Sequence, residues 1–155
     1  MTTSTSDRSP KIAFIFPGQG SQSIGMMSDW GDSQSIVDDC FAEASDALGY
    51  DLKTIINDGP AEKLNKTEVT QPAMLASGVA SFRVWEHLNL PASGIYAGHS
   101  LGEYSALVCA GSLPFSDTIK LVAERGRLMQ SAVAEGEGAM AAIIGLADAD
   151  VIKAC

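Results

Sequence analysis

Apolar positions along the chain follow two different spacings, and these spacings predict strands and helices. Residues 11–16 are almost continuously apolar and end at Pro17-Gly18, which predicts a strand buried on both faces of a parallel sheet. A second apolar run, 94–97, leads directly into a glycine-rich turn. Elsewhere apolar residues recur every three or four positions, as in amphipathic helices. These predicted helices cover Ser33–Leu48, Asp51–Ile56, Pro60–Leu64, Ala73–Leu88, Leu101–Ala110 and Ser116 to about Val133.

The predicted helix Ala73–Leu88 carries so few polar residues that we expect it to be mostly buried. Pro72 would stand at its first turn, where a missing N–H leaves no helical hydrogen bond unmade. Gln71 lies at the same entrance. Its amide either faces a ligand or is a solvent-exposed or capping group, and the sequence leaves both interpretations open.

The two ends of the chain differ from its middle. Residues 1–10 are rich in serine and threonine and lack the apolar core of a signal peptide, which predicts a disordered leader. After a glycine-containing break, Ala139–Leu146 predicts a strand, and a further helix begins at Asp148. The predicted organisation is a leader at 1–10, a main α/β part at 11–133 and the start of a second part at 134–155.

The most informative motif is Gly98-His99-Ser100-Leu101-Gly102, placed between the second apolar run and a predicted helix. A serine with glycines two positions away on either side, at a strand-to-helix turn, is the pattern of a nucleophile elbow. The turn is so sharp that side chains at Gly98 and Gly102 would collide. It also directs the first N–H groups of the helix at the oxygen of the group that the serine attacks. Ser100 is therefore the candidate nucleophile of an acyl-transfer site.

A second candidate element is the loop Pro17-Gly18-Gln19-Gly20-Ser21-Gln22, which follows the first predicted strand. Its two glycines allow the Gln19 N–H to approach a ligand closely, as an oxyanion hole requires. A flexible turn explains the loop equally well. The loop lacks the lysine and the spacing of a phosphate-binding loop.

Arg125 interrupts the apolar stripe of the last long helix. A guanidinium on a buried stripe needs a charged or strongly polar partner, because an uncompensated buried charge is energetically expensive. That partner is either a carboxylate of this chain, such as Glu103, or the carboxylate of a substrate. The stripe itself consists of Leu121, Val122, Leu128 and Met129.

Charge and composition narrow the possible partners. The 19 acidic and 10 basic residues give a net charge of −9 without a basic cluster, which argues against nucleic acid and anionic membrane surfaces. No apolar run is long enough to cross a bilayer. The dispersed Cys40, Cys109 and Cys155 indicate reduced thiols and a cytoplasmic location. The acidic positions of the first helix lack a histidine or cysteine at ligand spacing, so we expect no metal site.

Taken in order, these motifs resemble the N-terminal half of the malonyl-CoA:acyl carrier protein transacylase family. The resemblance extends over essentially everything after the leader, with the motifs in the family's order and spacing. The matching motifs are Pro17-Gly18-Gln19-Gly20-Ser21-Gln22, Thr70-Gln71-Pro72-Ala73, Gly98-His99-Ser100-Leu101-Gly102-Glu103, Arg125-Gly126-Arg127 and Gly138-Ala139-Met140-Ala141-Ala142.

The resemblance implies residue roles and a fold. In this family the elbow serine carries the malonyl group as an ester, which implies Ser100 as the catalytic residue. Gln19 and Leu101 would supply the backbone N–H groups of the oxyanion hole. Arg125 would bind the malonyl carboxylate, and Gln71 would line the same pocket. The implied fold is an α/β-hydrolase-like parallel sheet with helices, truncated, followed by the first β-α unit of a ferredoxin-like subdomain. Malonyl-CoA is implied as substrate and acyl carrier protein as partner, without a permanently bound cofactor.

A general base is missing from this prediction. His99 is expected to point away from the reacting face, and His87 to lie on a helix surface, whereas the family's base is a histidine of its C-terminal half. We therefore expect a fragment with weak activity at most, and with poor solubility or association unless the missing half is supplied. Alternative functions are a polyketide-type acyltransferase, a serine hydrolase and a non-catalytic fragment that binds a carrier protein.

Overall fold

The structure, a computed structural model, describes residues 12–134, 137 and 143–154. Four helices separate the first strand from the second, and a short 3₁₀ turn at Gly31–Ser33 precedes the first of these helices. Within the described residues, no helix combines the length and the apolar character needed to cross a membrane. The elements are β1 (Ala13–Phe16), α1 (Gln34–Leu48), α2 (Leu52–Asp58), α3 (Ala61–Leu64), α4 (Thr67–His87), β2 (Ile95–Gly98), α5 (Gly102–Cys109), α6 (Phe115–Ser131) and α7 (Asp148–Ala154).

β1 and β2 form a parallel pair in which Phe16 stands beside Gly98. The His99 N–H continues this pairing by donating to the Phe16 carbonyl at 3.1 Å. The pair confirms both predicted strands. Burial of β1 on both faces is wrong for the described chain, since Ile15 is 77% exposed. Only one face of this strand pair packs against described helices. On the other face, the side chains of both strands are exposed within the described chain.

The covered face of β1 packs on α4 through aromatic rings. Phe14 meets Phe82 and Trp85 edge to face, with ring centroids 5.1 and 5.3 Å apart. An open apolar groove of about 490 Å³ runs along this contact, with Phe16 and Met74 in its walls. This groove agrees with the expected loss of cover over the helix and the sheet, while the expected poor solubility stays a prediction.

The main core lies between α1, α4 and α6. Arg83 of α4 connects the three helices at their edge: its guanidinium pairs with Glu43 of α1 at 2.8 Å and lies over the Phe115 ring of α6, 5.0 Å from the centroid. The predicted burial of the apolar helix is confirmed for most of α4. Its buried residues are Val69, Thr70, Gln71, Pro72, Ala73, Met74, Leu75, Ala76, Ser77, Val79, Ala80 and Val84.

α4 begins earlier than the apolar pattern predicts. It starts at Thr67, so Pro72 lies inside the helix and not in its first turn. Gln71 is consequently a helical residue, and only 1% of it is exposed. Thr70 can be buried in this segment because its hydroxyl donates to the Leu64 carbonyl at 2.6 Å, with the Lys66 carbonyl 3.1 Å away, and therefore needs no water. Burial removes the interpretation of Gln71 as a solvent-exposed or capping amide.

α6 also departs from its predicted boundaries and face. It starts at Phe115, directly after Pro114 and without a side-chain cap, and it ends at Ser131. The predicted apolar stripe is only partly correct, because the outer positions of the stripe are about half exposed. The buried residues of α6 are Phe115, Thr118, Ile119, Val122 and Gly126, whereas Leu121 and Leu128 are 50% and 53% exposed.

The C-terminal part contains the predicted helix but not the whole predicted strand. α7 confirms a helix from Asp148. Ile143–Leu146 are not a strand, which corrects the second half of the strand predicted at Ala139–Leu146. Ile144 is 92% exposed and has no described neighbouring strand with which to pair. Residues 139–142 and the predicted leader 1–10 lie outside the described residues.

Alkaline pH is expected to destabilise the fold through Cys40, which is fully buried against the Ala76 carbonyl of α4. Burial raises the pKa of this thiol from 9.0 to about 12. Between these two values the unfolded chain has lost the proton and the folded chain keeps it. The contribution of Cys40 to the free energy of unfolding therefore falls by about 1.4 kcal/mol per pH unit.

Urea unfolding at about pH 8 and about pH 10.5, followed by circular dichroism, measures this change. Cys40→Ala is the control, because it removes the titrating group and should leave a smaller decrease. An equal decrease in both proteins would contradict the prediction.

Candidate active site

Ser100 lies at the turn from β2 into α5. Its backbone φ is 53°, a left-handed conformation that residues other than glycine rarely adopt. Two backbone hydrogen bonds between residues three apart close the turn. The Gly102 N–H donates to the His99 carbonyl at 2.8 Å, and the Glu103 N–H donates to the Ser100 carbonyl at 3.2 Å. The serine side chain is exposed. The strand-to-helix placement predicted for this motif is confirmed, and the nucleophilic role of Ser100 stays a prediction.

The two flanking glycines are required by the path of the backbone. A Cβ on Gly98 would lie 2.0 Å from the carbonyl carbon and oxygen of Gly102. A Cβ on Gly102 would lie 2.2 Å from the Phe16 carbonyl oxygen at the end of β1. Both distances are far inside van der Waals contact. The turn therefore holds β1, β2 and α5 together at separations that only glycine permits.

The loop after β1 lies against this turn. A Cβ on Gly18 would lie 2.9 Å from both Nδ1 and the carbonyl oxygen of His99, so the loop backbone packs directly on the residue before Ser100. Within the described part of the chain, the backbone N–H groups of Gln19 and Leu101 donate to no protein acceptor. Leu101 itself is 1% exposed, which anchors the start of α5. Two backbone donors are thus available beside the serine.

Two glutamine side chains of the loop after β1 form hydrogen bonds with residues at or just before the start of α4. Gln19 Nε2 donates to the Thr67 hydroxyl at 3.3 Å. Gln22 Oε1 accepts the Gly20 N–H at 2.8 Å, while its Nε2 donates to Asn65 Oδ1 at 2.9 Å. The Gln19 bond thus connects the loop to the first residue of α4, and the Gln22 bond connects it to Asn65, two residues before α4. The flexible-turn interpretation of the loop therefore finds no support in its hydrogen bonding.

Arg125 of α6 reaches the turn from a half-buried position. Its Nη2 donates to Ser100 Oγ at 3.1 Å, and its Nη1 donates to Gln71 Oε1 at 2.7 Å. The guanidinium carbon lies 5.7 Å from the centroid of the Tyr104 ring. Among the described residues Arg125 forms no ion pair, and Glu103 is not its partner. A positive charge is therefore held beside the serine hydroxyl by neutral groups alone.

Two residues of this site were missed by sequence reasoning. Tyr104 provides the ring next to the guanidinium, and Met129 accepts a hydrogen bond from Gln71 Nε2 through its sulfur at 3.2 Å. Met129 lies four positions after Arg125 on the same face of α6, and Tyr104 lies four positions after Ser100, in the first turn of α5. That spacing was the available signal, but it equally describes ordinary core packing.

Neither histidine is placed as a base for Ser100. His99 packs its ring against Gly18 of the neighbouring loop, and His87 stands in the last turn of α4 with an exposed side chain. The described hydrogen bonds of Ser100 Oγ come from Arg125 alone. No described group of three or more histidine, cysteine, aspartate or glutamate side chains is arranged to hold a metal ion.

Gly98→Ala is expected to destabilise the protein by about 3 kcal/mol or more, because the new Cβ would overlap backbone atoms that cannot move independently. Gly94→Ala is the matched control directly before the same strand, where an added Cβ meets nothing within 4 Å. Thermal unfolding of the two variants provides the comparison. Similar unfolding temperatures for both would show that the turn can relax around a side chain.

Comparison with known proteins identifies the family to which this chain is similar. The sequence profile of the family described as "Acyl transferase domain" matches residues 13–154. The malonyl CoA-acyl carrier protein transacylase of Escherichia coli (strain K12) is 59% identical over 145 residues, which cover 94% of this chain and 47% of the relative. That of Bacillus subtilis (strain 168) is 46% identical over 143 residues, covering 92% and 44%.

Solved structures are similar over the same part. An acyl carrier protein S-malonyltransferase from Vibrio cholerae superposes with a TM-score of 0.85 at 57% identity, covering 94% of this chain and 48% of that one. A malonyl-transacylase solved with its type II PKS acyl-carrier protein gives 0.79 at 55% identity, covering 82% and 41%. The chain thus spans about half the length of the curated relatives it matches. By its sequence and its fold, this chain belongs to the acyl transferase domain family.

Proposed function

We propose that this chain carries the nucleophile and the substrate anchor of an enzyme that transfers a malonyl group from malonyl-CoA to the phosphopantetheine thiol of acyl carrier protein, in fatty acid biosynthesis. The observation that carries the proposal is the Arg125 guanidinium, 3.1 Å from Ser100 Oγ and without an ion pair among the described residues. An acyl group on Ser100 that ended in a carboxylate would place that negative charge within reach of Arg125.

The proposed reaction has two halves that both pass through Ser100. Ser100 Oγ attacks the thioester carbonyl carbon, the bond from carbon to sulfur breaks, and CoA leaves as its thiol while the malonyl group remains as an ester. The thiol of the carrier protein then attacks this ester and restores the serine hydroxyl. In both halves the oxygen of the tetrahedral intermediate would accept hydrogen bonds from the Gln19 and Leu101 N–H groups. Their lack of a described protein acceptor supports this role.

The serine still needs a group that removes its proton and later returns it. The chain contains two histidines, His87 and His99, and neither contacts Ser100 Oγ. We infer that the base is supplied from a region that corresponds to the remainder of the relatives' length. The 155-residue chain alone should therefore be weakly active at most.

The same proposal includes the finer architecture and the setting of the reaction. The parallel strands that end in a strained serine support an α/β-hydrolase-like main part over 11–133. The α7 helix supports a separate unit, ferredoxin-like, starting within 134–155. The buried Cys40 and half-buried Cys109, both free thiols, suit the reducing cytoplasm. The acceptor is a carrier protein of fatty acid synthesis; a polyketide carrier protein is the second candidate, because one similar structure is described with such a partner.

Arg125→Ala is expected to remove the preference for malonyl-CoA over acetyl-CoA. A charge-assisted hydrogen bond contributes about 1.5–3 kcal/mol, which corresponds to roughly 10- to 150-fold in relative affinity. Calorimetric titration of the chain with both thioesters measures this preference. Arg127→Ala is the matched control, since Arg127 is exposed and pairs with Glu124 at 2.6 Å on the outer face of α6. Equal weakening of both thioesters by Arg125→Ala would indicate a structural role for Arg125.

Mass spectrometry of the chain after incubation with malonyl-CoA is expected to show one added malonyl group, located on Ser100 and absent from Ser100→Ala. Transfer should remain slow, because the described residues place no base at the serine. Release of free malonate at the rate of ester formation would favour the serine hydrolase alternative. Binding without any ester would favour a non-catalytic role. Rapid transfer to a carrier protein by this chain alone would contradict the inference about the base.

A further inference from the structure

The amide of Gln71 connects the substrate anchor to a methionine that the proposed reaction does not use. Gln71 is 1% exposed, so protein atoms must satisfy its polar groups. Its Oε1 accepts a hydrogen bond from Arg125 Nη1 at 2.7 Å. Its Nε2 donates to Met129 Sδ at 3.2 Å, well inside the range of hydrogen bonds to sulfur. Both ends of the amide are therefore engaged.

Only one orientation of this amide satisfies both neighbours. A guanidinium has donors and no acceptor, whereas a thioether sulfur accepts and cannot donate. The carbonyl oxygen must therefore face Arg125, and the NH₂ group must face Met129. In the reversed orientation, two sets of donors would oppose each other at Arg125, and the buried NH₂ group would have no acceptor. The sulfur thus helps to select the orientation in which Gln71 holds the guanidinium.

The position of Met129 on α6 strengthens this coupling. Met129 follows Arg125 by four residues, one turn further along the same helix. Gln71 reaches both side chains from α4, which packs closely on α6: a Cβ on Gly126 would lie 2.6 Å from the Thr67 carbonyl oxygen. This close approach brings Gln71 within hydrogen-bond distance of both Arg125 and Met129. Leucine at position 129 would fill a similar volume but would offer no acceptor.

We propose that Met129 is a positioning residue for substrate recognition: acting through Gln71, its sulfur keeps the Arg125 guanidinium directed at the carboxylate of the substrate. This inference rests on the proposed function, because it assumes that Arg125 recognises a carboxylate. Met129 itself would not need to touch the substrate. Its effect should therefore appear in discrimination between thioesters that have and lack the carboxylate.

The test compares Met129→Leu with the wild-type chain in calorimetric titrations with malonyl-CoA and acetyl-CoA. The dissociation constant for malonyl-CoA is expected to rise about 3- to 10-fold, with less than about a 2-fold change for acetyl-CoA. Met74→Leu is the matched control, because Met74 is a buried methionine of α4 and has no contact with Gln71 among the described hydrogen bonds. Met74→Leu should leave both constants unchanged.

A double-mutant cycle identifies the route of the effect. If Met129 acts through Gln71, then Met129→Leu should have no further effect in a Gln71→Ala background. In the wild-type chain, NMR should detect a nuclear Overhauser effect between the side-chain NH₂ of Gln71 and the Sδ-methyl group of Met129. This measurement does not depend on the folding of any variant.

The outcomes separate this inference from the proposed function. Equal changes for both thioesters, additive effects in the cycle, or a missing Overhauser effect would each overturn the role of Met129. If Arg125→Ala keeps the preference for malonyl-CoA, or the wild type has none, the proposed function fails and this inference fails with it. If Arg125→Ala loses the preference while Met129→Leu keeps it, the inference about Met129 alone is wrong.

Discussion

The site depends on the absence of two side chains. At Gly98 and Gly102 the backbone passes so close to itself and to the end of β1 that any Cβ would overlap main-chain atoms. These two close approaches place the start of α5 directly against the ends of both strands. Ser100, between them, adopts a left-handed conformation. The serine hydroxyl is therefore exposed at one defined point. The remaining features of the site are arranged around that point.

The positive charge of Arg125 lies directly beside the Ser100 hydroxyl. The chain is acidic, with a net charge of −9, yet the cation nearest to the serine is held by an amide oxygen, a hydroxyl and an aromatic ring. A carboxylate partner from the protein would neutralise Arg125 and leave little attraction for an anion. Neutral partners orient the guanidinium and leave its charge available.

The packing of α4 against α6 explains how this arrangement stays in place. Gln71 comes from α4, and Arg125 and Met129 come from α6, so the orientation of the guanidinium depends on the distance between two helices. Gly126 permits the backbones to approach closely enough for that contact. By contrast, the exposed Ile15 and the groove along β1 are apolar surfaces that described residues leave uncovered. The close packing of α4 on α6 therefore lies in the part of the molecule that holds the site.

The amino-acid pattern alone was sufficient for both strands, for the existence of every long helix and for the elbow at Ser100, because these follow from local periodicity and from the steric needs of a turn. It misplaced the start of α4, since Thr67–Gln71 is polar and becomes helical through burial against neighbouring elements. It also left open whether Arg125 has a partner in the chain and whether Gln71 is exposed. Those answers depend on which residues meet across long stretches of sequence, as Arg125 does with Gln71 at a separation of 54 and with Ser100 at a separation of 25. Only tertiary packing decides such contacts, because periodicity within one helix describes a face and not what lies opposite it.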